Sequence, residues 1–385
     1  MSYGASTGSS GSSAGSAAAA AQVRLDRLAR VRVAMAAQGV DVLLLSLGAD
    51  LPWISGYEAM PLERLTMLVV PADAQPTMVI PRLEAPRVRH DPALFDMCPW
   101  GETEDPLSIT ASLIGGRARL GVSDRCWSTF VLGLQQRLPG RAWVNSSTVT
   151  SPLRARKDAA EIETLTRAAA AADRVAAQLH AGNIALIGRT EAAVSADISQ
   201  RLIDEGHDKV NFAIVASMEN AASPHHHASD RVIGPGEVVL CDFGGTMDGY
   251  CSDITRCVHT GPVPAERQEI YDVLFASQAA GVAAGVVGVD CQDVDRASRK
   301  VIADAGWGDQ FIHRTGHGIG MEEHEDPYMV EGNCLPLAAG HAYSVEPGIY
   351  LPGRFGFRLE DIVVSTDGGP QPLNAVDHRL VVVEA

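Results

Sequence analysis

The stretch Glu237–Gly261, EVVLCDFGGTMDGYCSDITRCVHTG, reads as an apolar strand, a turn and a second strand. Asp248-Gly249 supplies the turn, a dipeptide that favours a two-residue hairpin loop. Centring the hairpin there puts Asp253 opposite Gly244, two residues from Asp242. Residues two apart on a strand share a face, so both carboxylates lie on one side within reach of each other. Neighbouring carboxylates repel and raise each other's pKa. A chain that pairs them needs a proton or a cation between them.

Two later stretches extend the pattern. Phe311–Pro327, FIHRTGHGIGMEEHEDP, sets His317 among Gly316, Gly318 and Gly320, which predicts a tight, exposed bend with close backbone approach. Ala342–Val364, AYSVEPGIYLPGRFGFRLEDIVV, is a second strand–turn–strand. A three-residue loop, Pro352-Gly353-Arg354, would set Glu346 opposite Glu360, with Arg358 on their face. A one-residue slip would send one glutamate to the other side.

Outward from these stretches, 385 residues with 46% hydrophobic content leave room for two domains with proper cores. The formal net charge of −16 argues against a nucleic-acid partner, which would call for a basic patch. No segment reads as membrane-spanning: the charge-free run Val273–Val289 is broken by Ser277, Gln278 and several glycines. The seven cysteines form no CxxC pair, and no secretion signal is recognisable, so reduced thiols in a cytoplasm are expected.

Residues 1–21, rich in Gly, Ser and Ala, have almost nothing to bury and are expected to be a disordered tail. Gly4-Ala5-Ser6-Thr7-Gly8 matches the serine-hydrolase elbow pattern, but no strand precedes it, so it is set aside. Residues 22–146 alternate helical and strand patterns and form an α/β domain without clustered chemistry. Residues 147–157 read as a linker. Residues 158–385 run helix–helix–hairpin twice, a duplication of architecture rather than of residues. The polar loop Glu219–Asp230, ENAASPHHHASD, carries three consecutive histidines, which suit either a surface metal tract or a residue poised over a site.

Asp242, Asp253, His317, Glu346 and Glu360 thus form a candidate ligand set. Taken singly, an aspartate beside a turn or a histidine in a glycine-rich loop is ordinary turn chemistry. Four carboxylates balance two divalent cations, and one bridging hydroxide would complete the set. Oxygen-rich ligation with one imidazole and no thiolate favours Mn2+, with Co2+, Fe2+ or Zn2+ as substitutes. Paired cations supply hydroxide at neutral pH and polarise a carbonyl, which suits amide hydrolysis.

The motifs DFGGTMDGYCSDITR, HRTGHGIGMEEHEDP, SVEPGIYLPGRFGFRLED and PHHHASDR together resemble the creatinase/prolidase/methionine aminopeptidase ("pita-bread") metallopeptidases, in the family's order and spacing. The resemblance covers residues 22–385 and is greatest to bacterial Xaa-Pro dipeptidases. It implies an α/β (α+β) fold, with a creatinase-like N-terminal domain and a pita-bread catalytic domain with an internal pseudo-twofold. Asp253 and Glu360 match the carboxylates that bridge two metals, Asp242 the ligand of one, and His317 and Glu346 the ligands of the other. Glu346 also matches the proton shuttle. His225, His313 and His324 match histidines that line the pocket, with His226 and His227 adjoining the first. Arg358 matches an arginine near the substrate or behind the ligands, and it could hold a product-side carboxylate. The implied reaction is hydrolysis of Xaa-Pro dipeptides; an aminopeptidase P acting on longer peptides would use the same residues. A metal-free relative acting as a binding module would be expected to lack some of the five ligands. A homodimer formed through the N-terminal domain is the implied assembly.

Overall fold

A computed structural model of the chain describes residues 10–383, with side chains from residue 19 onward. The elbow-like Gly4–Gly8 and the start of the expected tail lie outside the described residues. From Ser10 the chain is helical, where sequence predicted no structure. The alanine-rich run has high helix propensity and extends the amphipathic helix that follows it.

Two compact units divide at Leu153/Arg154. The first holds helices α1 (Ser10–Gln38), α2 (Asp50–Ser55), α3 (Pro106–Ile114), α4 (Ser128–Arg137) and α5 (Ser147–Ala155), the last running across the division. Its strands are β1 (Val42–Leu45), β2 (Met67–Pro71), β3 (Thr77–Pro81), β4 (Asp96–Trp100), β5 (Arg119–Val122) and β6 (Ala142–Asn145). They form one mixed sheet in the order β4-β3-β2-β1-β5-β6. Its core gathers Val42, Leu44, Met67, Val69, Ile114, Leu120 and Leu134. Within residues 147–157, expected as a linker, Ser147–Ala155 form the helix α5, which contains Pro152.

In the second unit, α6 (Ala159–His180) opens on a capping box in which Asp158 and Glu161 each accept from the other's backbone N–H. After α7 (Glu191–Asp204) come β7 (Lys209–Ser217), β8 (Val238–Met247), β9 (Tyr250–Cys251) and β10 (Ile254–His259). Next are α8 (Ala265–Ala284) and α9 (Cys291–Asp304), then β11 (Gly316–Gly318), β12 (Glu325–Met329), β13 (Ala342–Val345), β14 (Gly348–Leu351), β15 (Phe355–Arg358), β16 (Asp361–Thr366), β17 (Gly369–Pro372) and β18 (Val381–Val382). The larger sheets run β18-β10-β8-β7 and β12-β11-β13-β16-β17, while β14 and β15 pair as a separate ribbon. The expected duplication shows in the backbone. Thr190, which caps α7, bridges to Val232, and Asp290, which caps α9, bridges to Pro336.

Both hairpins keep the register that their turns dictate. Met247 pairs with Tyr250 around Asp248 (φ 49°) and Gly249 (φ 82°), the positive φ values of a type I′ turn. Phe243 pairs with Ile254 in the same register, so Asp253 lies across from Gly244. Leu351 pairs with Phe355 around Pro352-Gly353-Arg354, and Val345 pairs with Asp361. Those two pairs share one register, which sets Glu346 across from Glu360. The ribbon splits from the main sheet just there. A bridge between Thr255 and Glu360 ties the second hairpin to the first.

No helix among the described residues is long and apolar enough to cross a membrane.

Candidate metal centre

His317 does not occupy the exposed bend that its glycines predicted. It is the middle residue of the buried strand β11 and is 2% exposed. The glycines serve close packing instead. A Cβ at Gly316 would sit 1.8 Å from the Ser344 carbonyl oxygen, and one at Gly318 would sit 2.2 Å from that of Asp326. Only a bare backbone fits between β12 and β13, and that confinement fixes the imidazole.

The ring can be read from its partners. Nδ1 lies 3.1 Å from the Gly318 carbonyl oxygen, an acceptor, so Nδ1 carries the hydrogen. Burial first, then the neighbouring His324, pushes the His317 pKa down to about 3, so the ring is neutral. Nε2 therefore presents a lone pair. It faces Glu346 Oε1 at 3.3 Å and Asp253 Oδ2 at 3.8 Å. Lone pairs pointed at carboxylate oxygens repel unless a cation stands between them.

The carboxylates show the same incompleteness. Among the described residues, Asp242 Oδ1, Asp253 Oδ1 and Glu360 Oε1 are buried with no hydrogen-bond partner. Ligand atoms of Asp253, His317 and Glu360 all lie within 4.8 Å of one another. Asp242 and Glu346 line the same cavity, of about 570 Å³. Burial, then the charges of Glu360 and Asp242, raises Asp253 well above the carboxylate range. Burial, then Glu346 and Asp242, does the same to Glu360. Burial pushes Glu346 up to about 7, against the pull of Arg358. Hard oxygen donors with one imidazole, too many negative charges and unfilled acceptors fit divalent cations.

A description of metallopeptidase family M24 matches residues 163–367, and one of the creatinase/prolidase N-terminal domain matches residues 27–156. The chain belongs to the M24 metallopeptidases. The probable dipeptidase PepE of Mycobacterium tuberculosis is 41% identical over 362 residues, spanning 93% of this chain and 96% of that protein. The Xaa-Pro dipeptidase of Lactobacillus helveticus is 33% identical over 356 residues, spanning 89% and 95%. The crystal structure of dipeptidase PepE from Mycobacterium ulcerans aligns with a TM-score of 0.89 at 42% identity, covering 95% of this chain and 99% of that one. The predicted N-terminal creatinase-like domain and pita-bread catalytic domain are thus the family's architecture.

In this metallopeptidase the other expected residues also reach the cavity. His225, His313, His324 and Arg358 line it. Two of the three consecutive histidines point to different partners. His225 lines the cavity, whereas His226 Nε2 lies 2.9 Å from the buried Glu191 Oε2. His313 is bonded at both nitrogens, to the Arg314 carbonyl at 2.8 Å and to the Tyr350 hydroxyl at 2.8 Å. The centre of the His324 ring lies 3.9 Å from that of His317 with the planes tilted by 43°, and burial, then Arg314, lowers its pKa.

Arg358 is heavily engaged. It donates to Thr255 Oγ1 at 3.2 Å, to the Pro224 carbonyl at 3.2 Å and to the Tyr350 hydroxyl at 3.0 Å, and it pairs with Asp242 Oδ2. Four of its five N–H donors are thus engaged by the protein itself.

Sequence reasoning missed four residues of this metallopeptidase site. Thr255 donates to Glu360 Oε2 at 2.7 Å, and its place two residues after Asp253, on the same strand face, was a usable signal. Tyr350 links Arg358 to His313. Arg314 lines the cavity beside His313. Glu191 ties down the histidine loop from 34 positions before His225, and nothing local announces that contact.

Proposed function

We propose that the protein is a metal-dependent dipeptidase that hydrolyses dipeptides with C-terminal proline. The observation that carries the reading is the His317 Nε2 lone pair turned toward buried, unpartnered carboxylates. The cavity of about 570 Å³ has the size of a small-ligand site, and the Lactobacillus relative bears the name Xaa-Pro dipeptidase. Asp242, Asp253, His317, Glu346 and Glu360 would hold two divalent cations, Mn2+ first, which would make hydroxide available at neutral pH and polarise the scissile carbonyl. Asp253 and Glu360 would serve both positions, Asp242 one, and His317 with Glu346 the other.

Glu346 would take the proton from the nucleophile and pass it toward the departing imide nitrogen. His324, neutral and unobstructed by a hydrogen bond among the described residues, would donate to the carbonyl oxygen or to that nitrogen. His225 and His313 would line the substrate side, and Arg358 would hold Asp242 in place. An Xaa-Pro bond is a tertiary amide without an N–H, and proline fixes its own φ. A site that acts through the carbonyl does not need that hydrogen.

The assay is hydrolysis of Ala-Pro and Leu-Pro beside Ala-Pro-Ala and a longer Xaa-Pro peptide, after chelation and resupply of Mn2+. Cleavage of the dipeptides alone is expected. Cleavage of the longer peptides would make the protein an aminopeptidase P. No bound or activating divalent ion would return it to the metal-free binding modules. We also propose a cytoplasmic homodimer. The seven unpaired cysteines suit a reducing compartment, and light scattering tests the assembly.

A further inference from the structure

Two guanidinium groups line the cavity, and they are not equivalent. Arg358 is surrounded by acceptors. Arg314 is not: among the described residues no carboxylate pairs with its guanidinium and no hydrogen bond ends on it. Its Cζ stands 4.3 Å from the centre of the Tyr328 ring. Stacking on an aromatic face fixes the plane of the group and leaves the N–H donors at its edge free.

Asp242, Asp253, Glu323, Glu346 and Glu360 are the acids that line the cavity. With two divalent cations and one hydroxide, the two guanidinium groups balance those five, and Arg314 has no carboxylate of its own among the described residues. A half-buried cation without a counter-ion favours an anionic ligand.

A dipeptide carries its own anion, one residue past the scissile bond. A longer peptide has a neutral amide at that point. The arginine fork makes two parallel hydrogen bonds to a carboxylate, whereas an amide offers it one oxygen. We propose that Arg314 binds the C-terminal carboxylate of the substrate and so restricts cleavage to dipeptides. This assignment rests on the Xaa-Pro dipeptidase reading for the bond that is cut. It gives the carboxylate to Arg314 rather than to Arg358, four of whose five N–H donors are already engaged.

The test compares Ala-Pro with its C-terminal amide, Ala-Pro-NH2, in the Mn2+-loaded wild type, in Arg314→Met and in Arg314→Lys. Methionine keeps an unbranched apolar stem against Tyr328 and removes the charge. Metal content and Tm are recorded for each variant. In Arg314→Met the KM for Ala-Pro should rise by about 10- to 100-fold, the range for losing hydrogen bonds to a charged group, with kcat little changed. Cleavage of Ala-Pro-NH2 should be nearly unchanged, and Arg314→Lys should fall between for the acid. Should the methionine variant not fold, the lysine variant still reports, through a smaller acid-to-amide preference. A wild type that cleaves Ala-Pro while Arg314→Met loses acid and amide equally, or neither, overturns this inference alone. A wild type that cleaves neither compound overturns the dipeptidase reading and takes the inference with it.

Discussion

Two groups of buried carboxylates in the second unit have opposite surroundings. Glu191 is fully enclosed and saturated. It accepts from the Ser217 amide and hydroxyl, each at 2.7 Å, from Asn220 Nδ2 at 3.0 Å, from His226 Nε2 at 2.9 Å and from the Ser229 hydroxyl at 2.6 Å. Burial works to raise its pKa, but the hydrogen bonds from Ser229, Ser217 and His226 outweigh it and hold the group below its usual value. Glu325 is alike: it accepts from Lys157 Nζ at 2.6 Å and pairs with Arg154, and those cations overcome burial. Asp253 and Glu360 are as deeply buried, yet each keeps an unpartnered oxygen and each is pushed upward. Depth alone therefore does not mark a functional carboxylate. A saturated acid is a tie in the scaffold, whereas an unsaturated one is waiting for a ligand that the chain does not supply.

Removing a carboxylate should accordingly have opposite consequences in the two groups. The largest effect is expected from Asp253→Asn or Glu360→Gln, which should lower kcat/KM by at least about 1,000-fold, or ~4 kcal/mol. Bound metal should be lost, while the metal-free protein melts no lower than wild type. A variant that keeps a tenth of the activity with metal in place would break the comparison. Next, Glu325→Ala should cost about 3–5 kcal/mol in denaturant unfolding, because Lys157 would stay buried without its anion and Arg154 would keep only Glu322. A loss under about 1 kcal/mol would mean that water reaches the pair.

Glu191→Gln should be milder, about 1–3 kcal/mol, the cost of leaving several donors poorly matched. Its effect on Ala-Pro hydrolysis should shrink in a His225→Ala background, because the loop that Glu191 ties is the one that carries His225. Full additivity of the two changes would argue that the tie serves stability alone.

The smallest effect concerns pH. Glu191 and Glu325 have lowered folded pKa values, so the stability they confer is present above the unfolded carboxylate pKa and is lost as pH falls through the folded one. Asp253 and Glu360 have raised values, so in the metal-free protein their charged forms cost stability as pH rises through those values. Cations relieve that cost and displace protons. The rise in Tm on adding Mn2+ should be several degrees larger near pH 8 than near pH 5. An equal rise at both would place the bound ion away from these acids.

Much of the site was legible because it hangs on two turns. Asp248-Gly249 and Pro352-Gly353-Arg354 set both registers, and the registers set which carboxylates face each other. Contacts made only by packing were invisible, as with Tyr350 between Arg358 and His313, or Glu191 beneath the histidine loop. In the first unit, β4 contains Pro99, which argues against a strand in sequence but is tolerated at the sheet edge where β4 lies. Helix α3 was overlooked, although Asp105 accepts from Leu107 N at its cap and Pro106 occupies its first turn. The error over His317 had a different origin. In sequence three glycines suggest freedom of the backbone, whereas here they answer a shortage of space.

The two turns also make the site sensitive to parity. One residue added to Asp248-Gly249 would rotate Asp253 away from Asp242, and one added to Pro352–Arg354 would part Glu346 from Glu360. Two added residues would preserve facing and only displace the pairing. Descendants of this chain can therefore vary the chemistry of either turn far more freely than its odd or even length, and an engineer grafting a new loop at either tip should insert residues in pairs.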